Sequence, residues 1–298
     1  MMNGELWKLF IDAAELGSLS KVAIVNGTNQ SVVSKKISEL ESLCQGKLFN
    51  RTGRGVVLTE LGKILLPKIR RWIKDTCDLQ DDILSLSGQP IGNIRIGVLP
   101  STIRMLMIPL YTQISTDYPM ISLKVYEGQG AQLETWLDEG QIDLAILLRH
   151  QNIPQPGDIY LSKMPTYLVS QKGDPLTQYP TIEFSSINQL PIALFCRPNK
   201  WRDELDRLAS EYEVNFKIVC EADSLDMQAQ ITESGKAYAL LGSAALNTIK
   251  DRYAINASKI VNPEILHYLT IGMSKHGKLG IAEKIVIERI RLIANTIF

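Results

Sequence analysis

The 298-residue sequence is poor in the residues that metal and nucleophile chemistry needs, with four cysteines and three histidines. Cys44, Cys77, Cys196 and Cys220 lie far apart and none belongs to a CxxC pair, so metal-ligand spacing is absent. They read as small, half-buried thiols of a reducing compartment. His150, His267 and His276 are scattered and assemble with no serine, cysteine or aspartate into a spaced catalytic constellation. Gly53-Arg54-Gly55 and Gly128-Gln129-Gly130 lack the rest of any phosphate-binding fingerprint. These absences argue against an enzyme and imply neither a cofactor nor a bound metal. No apolar run approaches the length of a membrane span. Lys8, Asp12 and Glu15 interrupt what would be the apolar centre of a signal peptide. The expected location is therefore the cytoplasm, with no membrane partner.

What is present suits a soluble multidomain protein. Hydrophobic residues make up 45% and charged residues 21%, enough to bury a core without disulfide or metal staples. The net charge of zero conceals an asymmetry. Residues 1–75 hold 12 Lys+Arg against 7 Asp+Glu, and the remaining residues hold 20 against 25. A basic head on an acidic body points to a polyanionic partner for the head alone.

The head reads as a helix-turn-helix. Leu6, Leu9, Phe10, Ala13, Ala14 and Leu16 recur at helical spacing, and Gly17 stops that helix. Ser18 is a good N-cap for a short helix from Leu19 to about Val25. Asn26-Gly27-Thr28 forms a turn, because Asn and Gly tolerate left-handed backbone. Asn29 caps a longer helix through about Leu43, with Val33, Ile37, Leu40 and Leu43 as its buried stripe. A polar-faced second helix in this arrangement enters the major groove. Gln30 suits adenine, and Lys35 suits guanine or a phosphate. Asn29, Ser31 and Ser34 are short enough to allow close approach to phosphates. Two short apolar strands around Thr52-Gly53-Arg54-Gly55 predict a β-hairpin whose tip sets Arg51 and Arg54 beside the duplex. With Ser18, these residues form the candidate DNA-contact set.

Thr59 caps a long helix to about Leu86. Leu65, Trp72, Leu79 and Leu86 are seven apart, and Ile69 and Ile83 interleave with them, which is the seam of a coiled coil. Leu65, Ile69, Trp72, Leu79, Ile83 and Leu86 are thus the candidate dimerisation residues. Pro67 removes one hydrogen bond and predicts a kink. Ser87-Gly88-Gln89-Pro90-Ile91-Gly92 marks a boundary. Beyond it, strands are expected at Asn93–Leu99, Ser122–Glu127, Ile142–Leu148, Tyr167–Ser170, Pro191–Phe195, Lys217–Glu221, Ala237–Leu241 and Tyr268–Met273. Helices are expected between them at Ile103–Tyr118, Gln132–Glu139, Trp201–Glu213 and Leu225–Ser234, and finally at Ile281–Thr296. This alternation signals an α/β architecture.

Gly17-Ser18-Leu19-Ser20-Lys21-Val22-Ala23, Thr28-Asn29-Gln30-Ser31-Val32-Val33-Ser34-Lys35-Lys36-Ile37, Leu48-Phe49-Asn50-Arg51-Thr52 and Val57-Leu58-Thr59-Glu60-Leu61-Gly62 occur in order. This combination resembles the LysR-type transcriptional regulator family. Ser31 stands where many members have proline and Lys35 where many have arginine, so a bidentate guanine contact is weakened there. Leu99-Pro100-Ser101 and Glu134-Thr135-Trp136-Leu137 resemble the branch that contains the nitrogen-assimilation regulator.

The resemblance implies a fold: an N-terminal winged helix-turn-helix (1–58), a dimerising linker helix (59–87), a hinge (88–91) and an effector domain (92–298). The last is two α/β lobes like those of periplasmic solute-binding proteins, lobe one at 92–163 and 268–298 and lobe two at 164–267. An effector would sit between the lobes. Ser101 and Thr102 follow the first strand, where their hydroxyls suit a carboxylate. Gln129, Arg149, Arg197 and Asn199 are carried over by position. The implied partners are operator DNA, a second copy in a homodimer or homotetramer, a small-molecule effector and RNA polymerase. The alternative is a cytoplasmic solute-binding protein whose N-terminal helices only dimerise it.

Overall fold

Residues 4–86, 88–150, 157–273 and 279–297 are described by a computed structural model of the protein. His276 and Ser87 of the boundary cluster fall outside them.

Three helices, α1 (Gly4–Leu16), α2 (Leu19–Val25) and α3 (Gln30–Leu43), pack with a hairpin of β1 (Phe49–Thr52) and β2 (Gly55–Leu58). Phe10, Val22, Val33, Ile37, Leu40 and Leu48 form the centre of their core. Each large side chain buried there contributes roughly 1.5–3 kcal/mol. Leu43 does not join the stripe of α3. It is exposed, and the neighbouring Glu41 is buried instead. One Glu41 oxygen accepts from the Leu48 and Phe49 N–H groups (3.0 and 3.3 Å), and the other receives the Lys47 ammonium at 2.7 Å. The carboxylate thereby fastens α3 to the first strand of the hairpin. Gly17 lies at φ 62°, and its carbonyl accepts from the Val56 N–H at 2.9 Å. A Cβ on Gly55 would sit 2.1 Å from that carbonyl oxygen, so only glycine lets the hairpin close onto α1.

The linker helix α4 (Glu60–Leu86) continues through Pro67. Its seam divides into two halves. Ile69 is buried in the N-terminal core, and Leu65 and Trp72 pack against that same core. Ile69 is thereby taken up inside its own domain, a correction to its reading as a dimer contact, while Leu65 and Trp72 are only partly covered. A heptad pattern records an apolar face and does not say what covers it. Leu79, Ile83 and Leu86 remain exposed.

The rest of the chain is built around one curved sheet. Its first half is β4 (Ile121–Glu127), β3 (Gly92–Val98) and β5 (Leu144–Arg149), all parallel. Then come antiparallel β12 (Leu266–Met273) and β6 (Ile159–Gln171). The second half is β10 (Tyr238–Gly242), β8 (Pro191–Leu194) and β9 (Lys217–Glu221). Strand β11 (Ile255–Val261) also pairs with β6, and with the short β7 (Thr181–Glu183). The long β6 belongs to both halves: residues 159–165 pair with β12, and residues 166–171 pair with β10 and β11. The change of partner falls at Pro165, which brings no N–H to a ladder.

Helices α5 (Ile108–Asp117), α6 (Gly130–Asp138) and α10 (Ile281–Ile297) cover lobe one. Lobe two carries α7 (Lys200–Glu211), α8 (Leu225–Glu233) and α9 (Ser243–Ile249). The helix expected from Ile103 to Tyr118 is instead a π-helical turn over Ile103–Met107 followed by α5. Pro109 has no N–H with which to continue an α-helical ladder from Met105. Strands β7 and β11 and helix α9 are additions to the expected set.

Burial raises the pKa of Glu41, but Lys47 and the two N–H groups more than offset this and hold it below the ordinary carboxylate range. Its contribution is thus present above that range and is lost as pH falls through the depressed value. Glu41→Ala should destabilise the N-terminal domain by about 2–4 kcal/mol in urea denaturation, because two buried N–H groups lose their acceptor. Glu39→Ala, at an exposed position, should stay within about 0.5 kcal/mol of the parent.

Candidate DNA interface and effector cleft

The candidate DNA face begins at the start of α3. Gln30, Ser31 and Lys35 are exposed on its first turns. The Asn29 side chain makes no capping bond; the Asn29 backbone carbonyl accepts from the Val32 and Val33 N–H groups. Its amide is therefore left for an outside partner, a correction to its reading as a side-chain cap. Ser18 does cap α2, accepting from the Lys21 N–H at 3.4 Å. Arg51 is not at the hairpin tip. It lies on β1 and donates to the Ser34 hydroxyl at 2.8 Å, tying the hairpin to the recognition helix. Arg54 occupies the exposed tip. Of the eight predicted residues, Arg51 and Ser34 are in direct contact, and the Ser18 backbone lies beside Gly55.

A cavity of about 1120 Å³ lies between the lobes. Ser101, Gln129, Arg149 and Asn199 line it. Two of the predicted residues do not. Thr102 is buried and donates its hydroxyl to the Leu99 carbonyl at 2.8 Å, which spends it on closing the turn after β3. Arg197 points away, paired with Asp206 on the exposed side of α7. The Asn199 oxygen caps α7, accepting from the Trp201 and Arg202 N–H groups at 2.9 and 3.1 Å.

Arg149 is held from both sides. Its Nε and Nη2 donate to Asp158 at 2.7 and 3.1 Å, and its Nη1 donates to Glu134. The other Glu134 oxygen receives Lys200 from lobe two. This chain of charges latches the lobes together across the cleft mouth. A second bridge joins the Thr248 hydroxyl of α9 to the Ser101 carbonyl at 3.3 Å.

The floor of the cleft holds residues that spacing alone did not single out. His150, Trp201 and His267 cluster, with ring centroids 4.0 Å apart for Trp201 and His267 and 5.1 Å apart for the two histidines. The pairing of β5 with β12 sets Tyr268 opposite Arg149, so the two histidines meet just beyond that pair. The usable signal was the register of an antiparallel strand pair, which the sequence does not print. Both nitrogens of His267 and Nδ1 of His150 are buried without a partner. Burial lowers the pKa of His267 to about 3, and His150 pushes it the same way. Burial also lowers that of His150 to about 4, against the pull of nearby Glu204.

Two family models match the chain. "Bacterial regulatory helix-turn-helix protein, lysR family" covers residues 5–63, and "LysR substrate binding domain" covers residues 87–255. The nitrogen assimilation regulatory protein nac of Escherichia coli (strain K12) is 25% identical over 282 residues, spanning 94% of this chain and 91% of its own. A full-length OxyR variant from Pseudomonas aeruginosa superposes with a TM-score of 0.77 at 18% identity, covering 98% of both chains. Full-length CbnR complexed with its target DNA superposes at 0.56 and 19% identity, covering 98% of this chain and 100% of that one. No helix among the described residues is long and apolar enough to cross a membrane.

Both histidines have folded-state pKa values far below 6.5, so the unfolded chain binds more protons between those values. Their contribution to stability is full above about pH 6.5 and is lost as pH falls toward 4, at up to about 1.4 kcal/mol per pH unit for each group. Denaturation midpoints of the effector domain should therefore drop between pH 7 and pH 5, and His267→Phe should flatten that slope. An unchanged slope in the variant would show that His267 does not titrate as its burial requires.

Proposed function

Since the chain belongs to the LysR family of DNA-binding transcriptional regulators, with a helix-turn-helix and an effector-binding domain, we propose how its own residues divide that work. Residues 1–58 read operator DNA and residues 59–87 pair two copies. Residues 88–91 join these to the effector domain at 92–298, with lobe one at 92–163 and 268–298 and lobe two at 164–267. The carrying observation is the exposed polar start of α3 flanked by the Arg51–Ser34 contact and the free Arg54 tip. Gln30 reads a base edge, Lys35 reads a base or phosphate, and Ser18, Asn29, Ser31 and Ser34 position the helix on phosphates. Arg54 lies along the minor groove or the backbone.

The exposed Leu79, Ile83 and Leu86 support pairing through the C-terminal half of α4. Two copies present two recognition helices to half-sites about one helical turn apart, or a multiple of it. A homotetramer doubles this reach. The cavity between the lobes supports an effector site using Ser101, Gln129 and Asn199. An effector that prefers one lobe arrangement shifts the population of assemblies, and with it DNA bending or contact with RNA polymerase.

The test is binding to DNA from immediately upstream of the protein's own coding region, at fixed moderate salt with random competitor. Binding that survives competitor is expected; binding abolished by it would leave only the electrostatic part. Gln30→Ala should cost about 1–3 kcal/mol on the operator and relax preference at one position. Arg54→Ala should weaken all sequences alike and reduce the salt slope by about one. Equal loss on operator and random DNA for Gln30→Ala would show that the recognition helix is misplaced. Ile83→Asp should shift the protein toward monomer in light scattering, while Ile69→Asp should unfold the N-terminal domain.

A further inference from the structure

The cleft floor carries an acceptor with nothing to accept. His267 is 4% exposed, lines the cavity, and has no partner on either ring nitrogen. A neutral imidazole has one N–H and one bare nitrogen, and an unmet polar atom in a buried site costs roughly 1–3 kcal/mol. Gly242 keeps the Nε2 edge of the ring open: a Cβ there would stand 3.1 Å from Nε2, with no nearer neighbour. The Trp201 ring, 4.0 Å away between centroids, forms an aromatic wall beside it.

The charges around this floor favour one sign of ligand. Six carboxylates line the cavity against four cations. All four cations are already neutralised within the chain. Arg149 is held by Asp158 and Glu134, Lys200 by Glu134, Arg207 by Glu204 and Glu211, and Arg252 by Asp226. Glu127 and Asp203 face the cavity with no cation on them among the described residues. An anionic ligand would have to break a partly buried Arg149 pair and meet a surplus of like charge. A cation meets unpaired carboxylates and a bare imidazole nitrogen, both of which attract it.

We propose that the effector of this regulator carries a protonated amine, which donates to the His267 imidazole at the cleft floor beside Trp201, in a cavity whose lining includes the unpaired carboxylates of Glu127 and Asp203. The inference rests on the reading of the cleft as the effector site. It makes His267 and Trp201 the specificity-determining residues, in place of the Ser101 and Arg149 surroundings that a carboxylate would use.

The test uses the full-length protein and two matched pairs of probes in isothermal titration calorimetry at pH 7.5 and fixed ionic strength. Butane-1,4-diamine is compared with butanedioate, and 2-phenylethylamine with phenylacetate. At least one amine should bind about tenfold or more tightly than its carboxylate counterpart. His267→Phe should remove that preference. If His267→Phe does not fold, Asp203→Asn, at an exposed position, should weaken the amine several-fold and leave the carboxylate unchanged. Carboxylates binding as well as amines overturn the proposal, and so does amine binding indifferent to both variants. Tight His267-dependent binding of Zn²⁺ without amine binding replaces the ligand by a metal ion and also overturns it. Operator binding is measured on the same preparation. Intact operator binding without amine preference sinks this inference alone, whereas a folded oligomer that ignores operator DNA sinks the regulator reading beneath it.

Discussion

Lys74 is the point on which the arrangement of the molecule depends. It sits near the middle of α4, at the end of the basic head, and is met there by carboxylates from three elements. Asp78 of α4 lies at 2.6 Å, Glu283 of α10 at 2.8 Å, and Asp143, ahead of β5, at 3.6 Å. Burial works against its charge, but Asp143 and Glu283 overcome this and hold its pKa well above the usual range, so it stays an ammonium at any ordinary pH. Asp143 is in turn gripped by Arg95, through its side chain at 2.6 Å and its N–H at 2.8 Å. One turn earlier on α4, the buried Arg70 reaches Glu15 of α1 at 3.0 Å and Glu139 after α6 at 3.6 Å. Breaking a buried pair by removing one partner costs far more than a surface pair contributes. The linker is therefore welded to lobe one, and a shift of that lobe carries the DNA-binding head with it.

The second lobe is free of that weld. It is tied to the first by β6, by β12, and by the contacts that cross the cleft. The Glu134–Lys200 pair and the Thr248–Ser101 bond lie at the rim, and the His150–Trp201–His267 cluster lies at the floor. A ligand entering the cavity would meet these crossing contacts, whereas the contacts of Lys74 with lobe one lie elsewhere.

Much of this was legible in the sequence. The helices of the head follow from apolar residues at helical spacing and from Gly17 and Asn26-Gly27. Most of the α/β strands follow from short apolar runs. Burial of a polar residue was harder to see. Glu41 looks like a solvated charge until the hairpin brings Leu48 and Phe49 back to it. The seam of α4 was correctly found as an apolar face, but a face packed on its own core and one kept for a second copy have the same spacing. A cavity does lie at the strand ends, and Ser101, Gln129, Arg149 and Asn199 line it. Thr102 and Arg197 missed it because local bonds claimed them first. His150 and His267 were invisible as a pair, since only the β5–β12 register makes neighbours of residues so distant in the chain.

One helix closes two things at once. α10 covers the core of lobe one, and it also supplies Glu283 to Lys74 and the Ile281 N–H to Asp82 at 2.9 Å. Packing the lobe and docking the linker are therefore inseparable: lifting α10 away would bare an apolar core and strip a carboxylate from the Lys74 ammonium in the same motion.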